Sequence, residues 1–282
     1  MKKGKKKKWI IYCFVLVCFI GIFFYVQNNA VETTEYTIQF DNIPTMFDQY
    51  KIVQLSDLHS KWFGQEQKKL IKKVEKENPD LIVFTGDLVD SKKYDEQASL
   101  SLMAQLVAIA PVYFVTGNHE WWSGKYSSLE EGLLAAGVHV LRNEREVIKR
   151  NGEEIVLFGI DDPAAFATEE ESNIILHELL DDNKNNTNFT MLLAHRPELF
   201  STYAQYEIDL IFSGHAHGGQ VRFPFIGGLV APNQGFLPTY DAGMFTINQS
   251  TMIVNRGLGN SIIPLRIFNR PEIVVVTLVA ER

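Results

Sequence analysis

The chain has 282 residues, 46 % of them hydrophobic and 22 % charged, and a formal charge of −7. That composition excludes a disordered chain and suffices for one large domain or two small ones. Six of the first eight residues are lysine, and setting them aside leaves −13 on the remainder, an acidic body that gives no electrostatic help toward nucleic acid.

From Trp9 to Val26 the chain carries no charge, and a run of that length just reaches across a bilayer. A cleaved secretory signal fits less well, because the run is long for a signal core and Gln27-Asn28-Asn29-Ala30 makes a poor small-x-small cleavage site. The expectation is an uncleaved signal anchor over residues 9–26, with residues 1–8 a basic cytoplasmic tail. The chain from about residue 30 onward then lies on the far face of the membrane. Cys13 and Cys18 fall inside the span, so the exported part has no cysteine. Disulfides, thiolate metal sites and cysteine nucleophiles are excluded together, and chemistry must come from oxygen and imidazole.

Residues 27–48 are expected as a stalk with a first strand at 36–40, and residues 49–282 as the folded domain. Strands and helices then alternate. Lys51–Leu55 reads as a strand, 65–77 as a helix with Leu70, Ile71 and Val74 on one face, and Asn78-Pro79 stops it. Leu81–Thr85 is another buried strand. Residues 97–109 carry Leu102, Met103, Leu106 and Val107 at helical spacing, 112–116 form a strand, and 129–136 a helix with Gly137 as its cap. The alternation predicts parallel strands joined by right-handed crossovers. Further on, 146–149 and 154–160 predict a hairpin around Asn151-Gly152, 170–180 a helix, 181–188 a polar surface loop, and 189–194 and 208–213 two more strands. From Val221 the short β-like runs, broken by Gly, Pro and Asn, suggest mostly antiparallel pairing through 272–279.

Five strands share one grammar, an apolar run whose carboxyl end spills into a turn of ligand-type residues. Asp57 and His59 end the first, Asp87 the second, Asn118, His119 and Glu120 the third, His195 the fourth, and His215 and His217 the fifth. In an open α/β sheet ligands bind outside the carboxyl ends of the strands, so the five turns are expected to meet at one crevice. Singly, each residue has a bland account as a turn former or helix cap. Five such accidents explain the pattern less well than one shared site. His139 and His177 lie elsewhere and are assigned to surface or packing.

Asp, His and Asn without thiolate suit divalent metals of intermediate hardness, Mn, Fe, Zn or Co. His215 and His217, two apart on an extended backbone, serve one cation or two adjacent ones. Seven candidate ligands besides His119 are more than one metal needs, which argues for two. Two cations about 3.5–4 Å apart, sharing a carboxylate and a hydroxide, make a nucleophile at neutral pH and stabilise charge on a phosphoryl group. Phosphate ester hydrolysis is the reaction with most need of that set.

In this order, Asp57-x-His59, Gly86-Asp87, Gly117-Asn118-His119-Glu120, His195 and Gly214-His215-x-His217 resemble the five signature blocks of the calcineurin-like metallophosphoesterase superfamily. The resemblance implies an α/β fold, a four-layer α-β-β-α sandwich of two mixed sheets with the irregular carboxy-terminal strands in the second, here preceded by one transmembrane helix. It implies that Asp57, His59 and His217 hold one metal, that Asn118, His195 and His215 hold the other, and that Asp87 bridges them. His119 would face the phosphate as general acid or charge stabiliser.

Residues 194–198 and 215–220 resemble a bacterial membrane-associated branch, which includes cell-envelope phosphodiesterases and a pyrophosphohydrolase acting on UDP-diacylglucosamine. The expectation is therefore a hydrolase of phosphodiester or pyrophosphate bonds acting on a lipid-linked or cell-envelope substrate. The rivals are a non-catalytic membrane-anchored metal-binding scaffold, opposed by the intact His119, and a phosphomonoesterase or nuclease of the same fold. Trp62-Phe63, Trp121-Trp122 and 223–226 follow three of the site turns, as an apolar rim or as cover for the sheets. Arg196 and Arg256 are candidate phosphate contacts, with a salt-bridge role as the alternative for each.

Overall fold

The computed structural model describes residues 2–181, 183–184, 186–261 and 264–281. Its strands, in chain order, are β1 (Glu32–Phe40), β2 (Lys51–Leu55), β3 (Leu81–Thr85), β4 (Val112–Val115), β5 (His139–Val140), β6 (Glu144–Arg150), β7 (Glu153–Gly159), β8 (Thr190–Leu193) and β9 (Leu210–Ser213). Four two-residue strands follow, β10 (Arg222–Phe223), β11 (Gly227–Gly228), β12 (Val230–Ala231) and β13 (Gly235–Phe236), then β14 (Gly243–Ile247), β15 (Ser250–Val254) and β16 (Glu272–Ala280). The helices are α1 (Lys2–Asn29), α2 (Lys68–Glu77), α3 (Glu96–Val107), α4 (Asn118–Trp122), α5 (Tyr126–Ala135), α6 (Glu169–Asp181) and α7 (Phe200–Tyr203).

Local chemistry accounts for most of these boundaries. Within α1, residues 6–29 are long and apolar enough to cross a membrane. β1 begins at Glu32, ahead of the expected residue 36, and pairs with β16 along its whole length. The first strand therefore takes in residues 32–35 of the stretch expected as stalk and first strand. α2 starts at Lys68 because Glu66 and Gln67 lie in the left-handed region, and it stops where Asn78 does the same before Pro79. Asp95 caps α3 by accepting from the Ala98 N–H. Gly137, at φ 88°, closes α5, its N–H bonding to Leu134 O and that of Val138 to Leu133 O. Asn151 and Gly152 both take positive φ and turn β6 into β7 as predicted. In the predicted polar loop, Asp182 and Asn185 lie outside the described residues, while Asn183 is buried and donates to Tyr206 O at 2.9 Å.

Two six-stranded mixed sheets result, in the orders β1-β16-β2-β3-β4-β5 and β14-β15-β9-β8-β7-β6. β2 to β5 run parallel, as do β7, β8, β9 and β15; β16 is antiparallel to β2 and parallel to β1. Side-chain alternation assigns each strand to two layers at once. Val53, Phe84, Phe114 and Val275 pack under α2, α3 and α5, whereas Ile52, Val83, Val115 and Val276 face the other sheet. Across that interface stand Leu157, Leu193, Phe212 and Ile253, whose neighbours Phe158, Leu192, Ile211 and Met252 pack under α6 and α7. These three apolar layers make the fold an α-β-β-α sandwich.

The carboxy-terminal strands depart from expectation. Only β14 and β15 join the second sheet; β16 enters the first sheet, and β10–β11 and β12–β13 are separate two-stranded ribbons. The second sheet is built chiefly from residues 144–213. β8 and β9 therefore belong to a different sheet from β2, β3 and β4.

Candidate metal centre

The five ligand-bearing turns do converge, but from two sheets rather than across one. Gln54, near the end of β2, fixes the join, its Nε2 donating to Ser213 O of β9 at 2.9 Å and to Thr85 Oγ1 of β3 at 3.1 Å. The turns are tight. Asp57, His59, Asp87, His215 and His217 have φ between 48° and 64°, a conformation that costs a residue with a side chain about 1–2 kcal/mol. Such strain concentrates where the surroundings hold a site in place. Gly86, at φ 86°, lies so close that a Cβ would strike Gly117 and His195 Nδ1; one at Gly214 would strike Ser56 and Asp57.

The side chains form two groups joined by one carboxylate. In the first, His217 Nε2 lies 3.2 Å from Asp57 Oδ1 and 3.0 Å from His59 Nε2. In the second, His195 Nε2 lies 3.2 Å from His215 Nδ1. Asp87 Oδ2 belongs to both, 3.6 Å from His59 Nε2 and 3.3 Å from His195 Nε2. Asp57, His59, Asp87 and His217, and separately Asp87, His195 and His215, each bring their ligand atoms within 4.8 Å of one another. Asn118, between Gly117 and His119, keeps its Oδ1 buried with no hydrogen-bond partner among the described residues. Facing imidazole nitrogens, carboxylate oxygens and an unpartnered amide oxygen suit divalent cations.

Neighbouring groups orient the ligands, as metal-binding imidazoles require. His195 Nδ1 faces Thr85 O at 2.6 Å, leaving Nε2 toward Asp87. His215 Nε2 faces Asn233 Oδ1 at 3.0 Å, leaving Nδ1 toward His195. Glu120 ties two turns together, Oε2 accepting from the N–H groups of Gly117 and Asp87 at 2.6 and 2.9 Å and Oε1 from Val89 at 3.1 Å.

Burial dominates the protonation of the cluster. It pulls His59 down to about 4, and holds His215 and His217 well below the usual imidazole range with help from His195 and His59 respectively. Those rings are neutral, the ligating form. Burial pushes Asp57 up to about 7 against the attraction of His195. At His195 burial acts downward, but Asp87 outweighs it and carries the imidazole up to about 10. Without a cation, His195 and Asp87 thus hold each other as an ion pair, and a cation would take that proton's place.

His119 stands beside the cluster. Its backbone N–H donates to Asp87 Oδ1 at 2.8 Å, and its Nδ1 accepts from the Ser91 N–H at 3.0 Å. The neutral ring therefore carries its proton on Nε2, which faces Ser261 Oγ at 3.5 Å. Asp90, Ser91, Lys92, Lys93, Trp122 and Ser261 line a hollow of about 170 Å³ at that edge. A larger groove of about 700 Å³, lined by Phe40, Asn42 and Asp209 among others, lies at the far ends of the strands, away from every group of ligand atoms found among the described residues.

Other candidates are placed less as expected. Arg196 is buried, with Nε and Nη2 donating to both oxygens of Asp162 at 2.6 and 3.0 Å, and Nη1 to Asn233 Oδ1 at 2.7 Å. Arg256 Nη2 is held by Glu32 and Glu272 at 2.9 and 2.8 Å. Both arginines fill the salt-bridge alternative. Phe63 and Trp121 pack inward against the core beneath α2, α3 and α5, while Trp122, Phe223, Phe225 and Ile226 are exposed. Of these side chains, Trp122 lines the hollow beside His119.

Asp161 and Asp162, which end β7 by the same grammar as the five recognised strands, were not singled out by the sequence. Asp162→Ala would strand a buried guanidinium beside His215, and a loss of about 3–5 kcal/mol is expected. Chemical denaturation of the detergent-solubilised chain measures it, with Asp162→Asn expected to lose less.

A two-sheet α/β sandwich with histidine and carboxylate ligands gathered between its sheets is the architecture of a metal-dependent phosphoesterase. The chain belongs to the calcineurin-like phosphoesterase family, whose model matches residues 50–219, and its enzyme class is accordingly that of a phosphoester hydrolase. It is 35 % identical over 262 residues to the uncharacterized metallophosphoesterase YkuE of Bacillus subtilis, with 90 % of this chain and 87 % of that one covered. It is 30 % identical over 272 residues to the transmembrane protein with metallophosphoesterase domain of Bos taurus, covering 93 % of this chain and 60 % of that one. That relative and helix α1 point to membrane anchoring. Among solved structures, the phosphopantetheinyl hydrolase PptH of Mycobacterium tuberculosis matches 75 % of this chain and 91 % of its own, at 13 % identity and a TM-score of 0.49.

Proposed function

We propose that the chain hydrolyses phosphodiester or pyrophosphate bonds of a membrane-associated substrate, with two divalent cations held between its sheets. The observation that carries this is the position of Asp87, one oxygen of which faces ligands of both groups. Asp57, His59 and His217 would hold one cation, Asn118, His195 and His215 the other, and Asp87 both. Bound there, two cations would supply a nucleophile from water at neutral pH and neutralise charge at phosphorus. Mn, Fe, Zn and Co all suit the donor set.

The protein's own residues supply the rest. His119, with its proton on Nε2, hydrogen-bonds through it to the oxygen leaving phosphorus and stabilises the charge developing there, at the hollow beside Trp122. Lys92 and Lys93 at that hollow favour an anionic leaving fragment. Arg196, held by Asp162, positions His215 directly and through Asn233, and Arg256 braces β1 against β16 through Glu32 and Glu272. The lysines ahead of the span favour a cytoplasmic amino terminus and a body on the far side. The acidic body disfavours nucleic acid.

The test is metal analysis joined to a substrate panel. Full-length protein stripped by chelator is expected to lose turnover of an aryl phosphodiester by at least about a hundredfold. Adding back Mn, Fe, Zn or Co should restore it at two ions per chain. Stripped protein that hydrolysed as fast as untreated protein would refute the reading.

A further inference from the structure

We infer that the mouth of the metal centre docks on the bilayer that α1 spans, through the exposed apolar loops at 223–226 and 265–268. The metal centre would then meet phosphate esters at the headgroup layer. The inference rests on the hydrolase reading above for the substrate, and on the packing of α1 for the docking.

The end of α1 is bound to the segment that supports the ligands. Asn260 Nδ2 donates to Asn28 Oδ1 at 2.9 Å, the Asn269 N–H to Gln27 Oε1 at 3.2 Å, and Arg270 Nε to Ala30 O at 3.1 Å. Lys61, two residues beyond His59, donates to Asn28 O. The same segment holds the metal turns. Asn269 Nδ2 donates to His217 O and Gln220 O at 2.8 and 3.0 Å, and the Gly259 N–H donates to Asp57 O at 2.6 Å. Helix end and ligand turns thus share one support, which fixes the mouth of the site close to the membrane plane.

Depth follows from one ring contact. Phe268 packs edge-on against Phe23, with ring centroids 5.7 Å apart. Phe23 lies three residues inside the apolar run that ends at Val26, about 5 Å along the helix axis at 1.5 Å per residue. A ring touching the span at that level sits below the polar collar of Gln27, Asn28 and Lys61, in the interfacial zone. The neighbouring ribbon goes with it, since the Arg222 N–H donates to Ile267 O at 3.0 Å. Its tip presents Phe225 and Ile226, and Leu265 and Phe268 are exposed beside it. Exposed apolar side chains clustered beside a span, with aqueous burial partners lacking, are what interfacial insertion requires.

Spin labels decide this in the full chain. In a Cys13→Ala, Cys18→Ala background, single labels at Phe225→Cys, Phe268→Cys and, at the far turn between β14 and β15, Asn248→Cys are read in phosphatidylcholine–phosphatidylglycerol vesicles. Labels at 225 and 268 are expected to relax more with oxygen than with a water-soluble nickel chelate, and the label at 248 the reverse. Labels at 225 and 268 as open to nickel as 248, or shielded from both reagents by another protein surface, would overturn the docking.

A second measurement tests the consequence for substrate. The ratio of turnover of hexadecyl nitrophenyl phosphate in vesicles to that of dissolved bis(nitrophenyl) phosphate is expected to fall at least tenfold in Phe225→Ser/Ile226→Ser. An unchanged ratio overturns the inference. Wild-type protein that cleaves neither diester sinks the hydrolase reading instead, and the labels still decide the docking.

Discussion

Asp87→Asn is expected to lower phosphodiester turnover by about 10³-fold or more and to release at least one of the two cations proposed above. That exceeds the roughly 10–100-fold carried by residues that only orient ligands. Three geometric facts set the size of the effect. Asp87 Oδ2 faces both His59 and His195, its Oδ1 accepts from the His119 N–H, and its own N–H is held by Glu120. The substitution keeps the shape and the neighbouring turns while removing the charge that both ligand groups share. It also removes the partner that keeps His195 protonated in the absence of a cation. Elemental analysis beside turnover of an aryl phosphodiester checks the result. Two ions per chain with unimpaired turnover in Asp87→Asn would mean that the shared oxygen is not the bridge.

The site was more legible than the architecture around it, and the reason is physical. Ligand chemistry needs particular residue types, so Asp57, His59, Asp87, Asn118, His195, His215 and His217 stand out wherever an apolar run ends. Sheet membership leaves no such mark. β3, β4, β8 and β9 are all buried on both faces, so each reads as a continuous apolar run, and nothing in it says which sheet it joins. The expected single crevice was therefore a meeting of two sheet ends. β16 was misassigned for the same reason, its register on β1 and β2 being set by tertiary packing. Asp162 escaped notice because its role, a bidentate partner for Arg196, is visible only when residues far apart in sequence meet. Arg196 and Arg256 each face a carboxylate, which charge alone does not reveal in the sequence. α1 was legible as a span from charge and length, but its attachment through Gln27, Asn28 and Ala30 was not, since these read as an ordinary polar exit from an apolar run.

His119→Ala is expected to separate leaving-group stabilisation from metal binding. His119 offers a hydrogen bond from Nε2, because Nδ1 already accepts from Ser91, and its ring stands nearly perpendicular to that of His59, with centroids 4.6 Å apart. The substitution should leave two cations in place. The loss in turnover should follow the basicity of the leaving group. An alkoxide departs with its charge localised on one oxygen, so a dialkyl or lipid phosphodiester is expected to slow by about 10²–10³-fold, the range that one hydrogen-bond donor to developing charge supplies. A nitrophenolate needs little help, and its diester is expected to slow by only about tenfold or less. Elemental analysis and parallel assays of the two diesters decide between roles. Equal losses on both substrates would mean that His119 does not meet the leaving oxygen, and loss of a cation would make it a ligand together with His59 and Asp90. The unequal loss is favoured because the proton-bearing nitrogen faces Ser261 at the hollow beside Trp122, where a departing group has room.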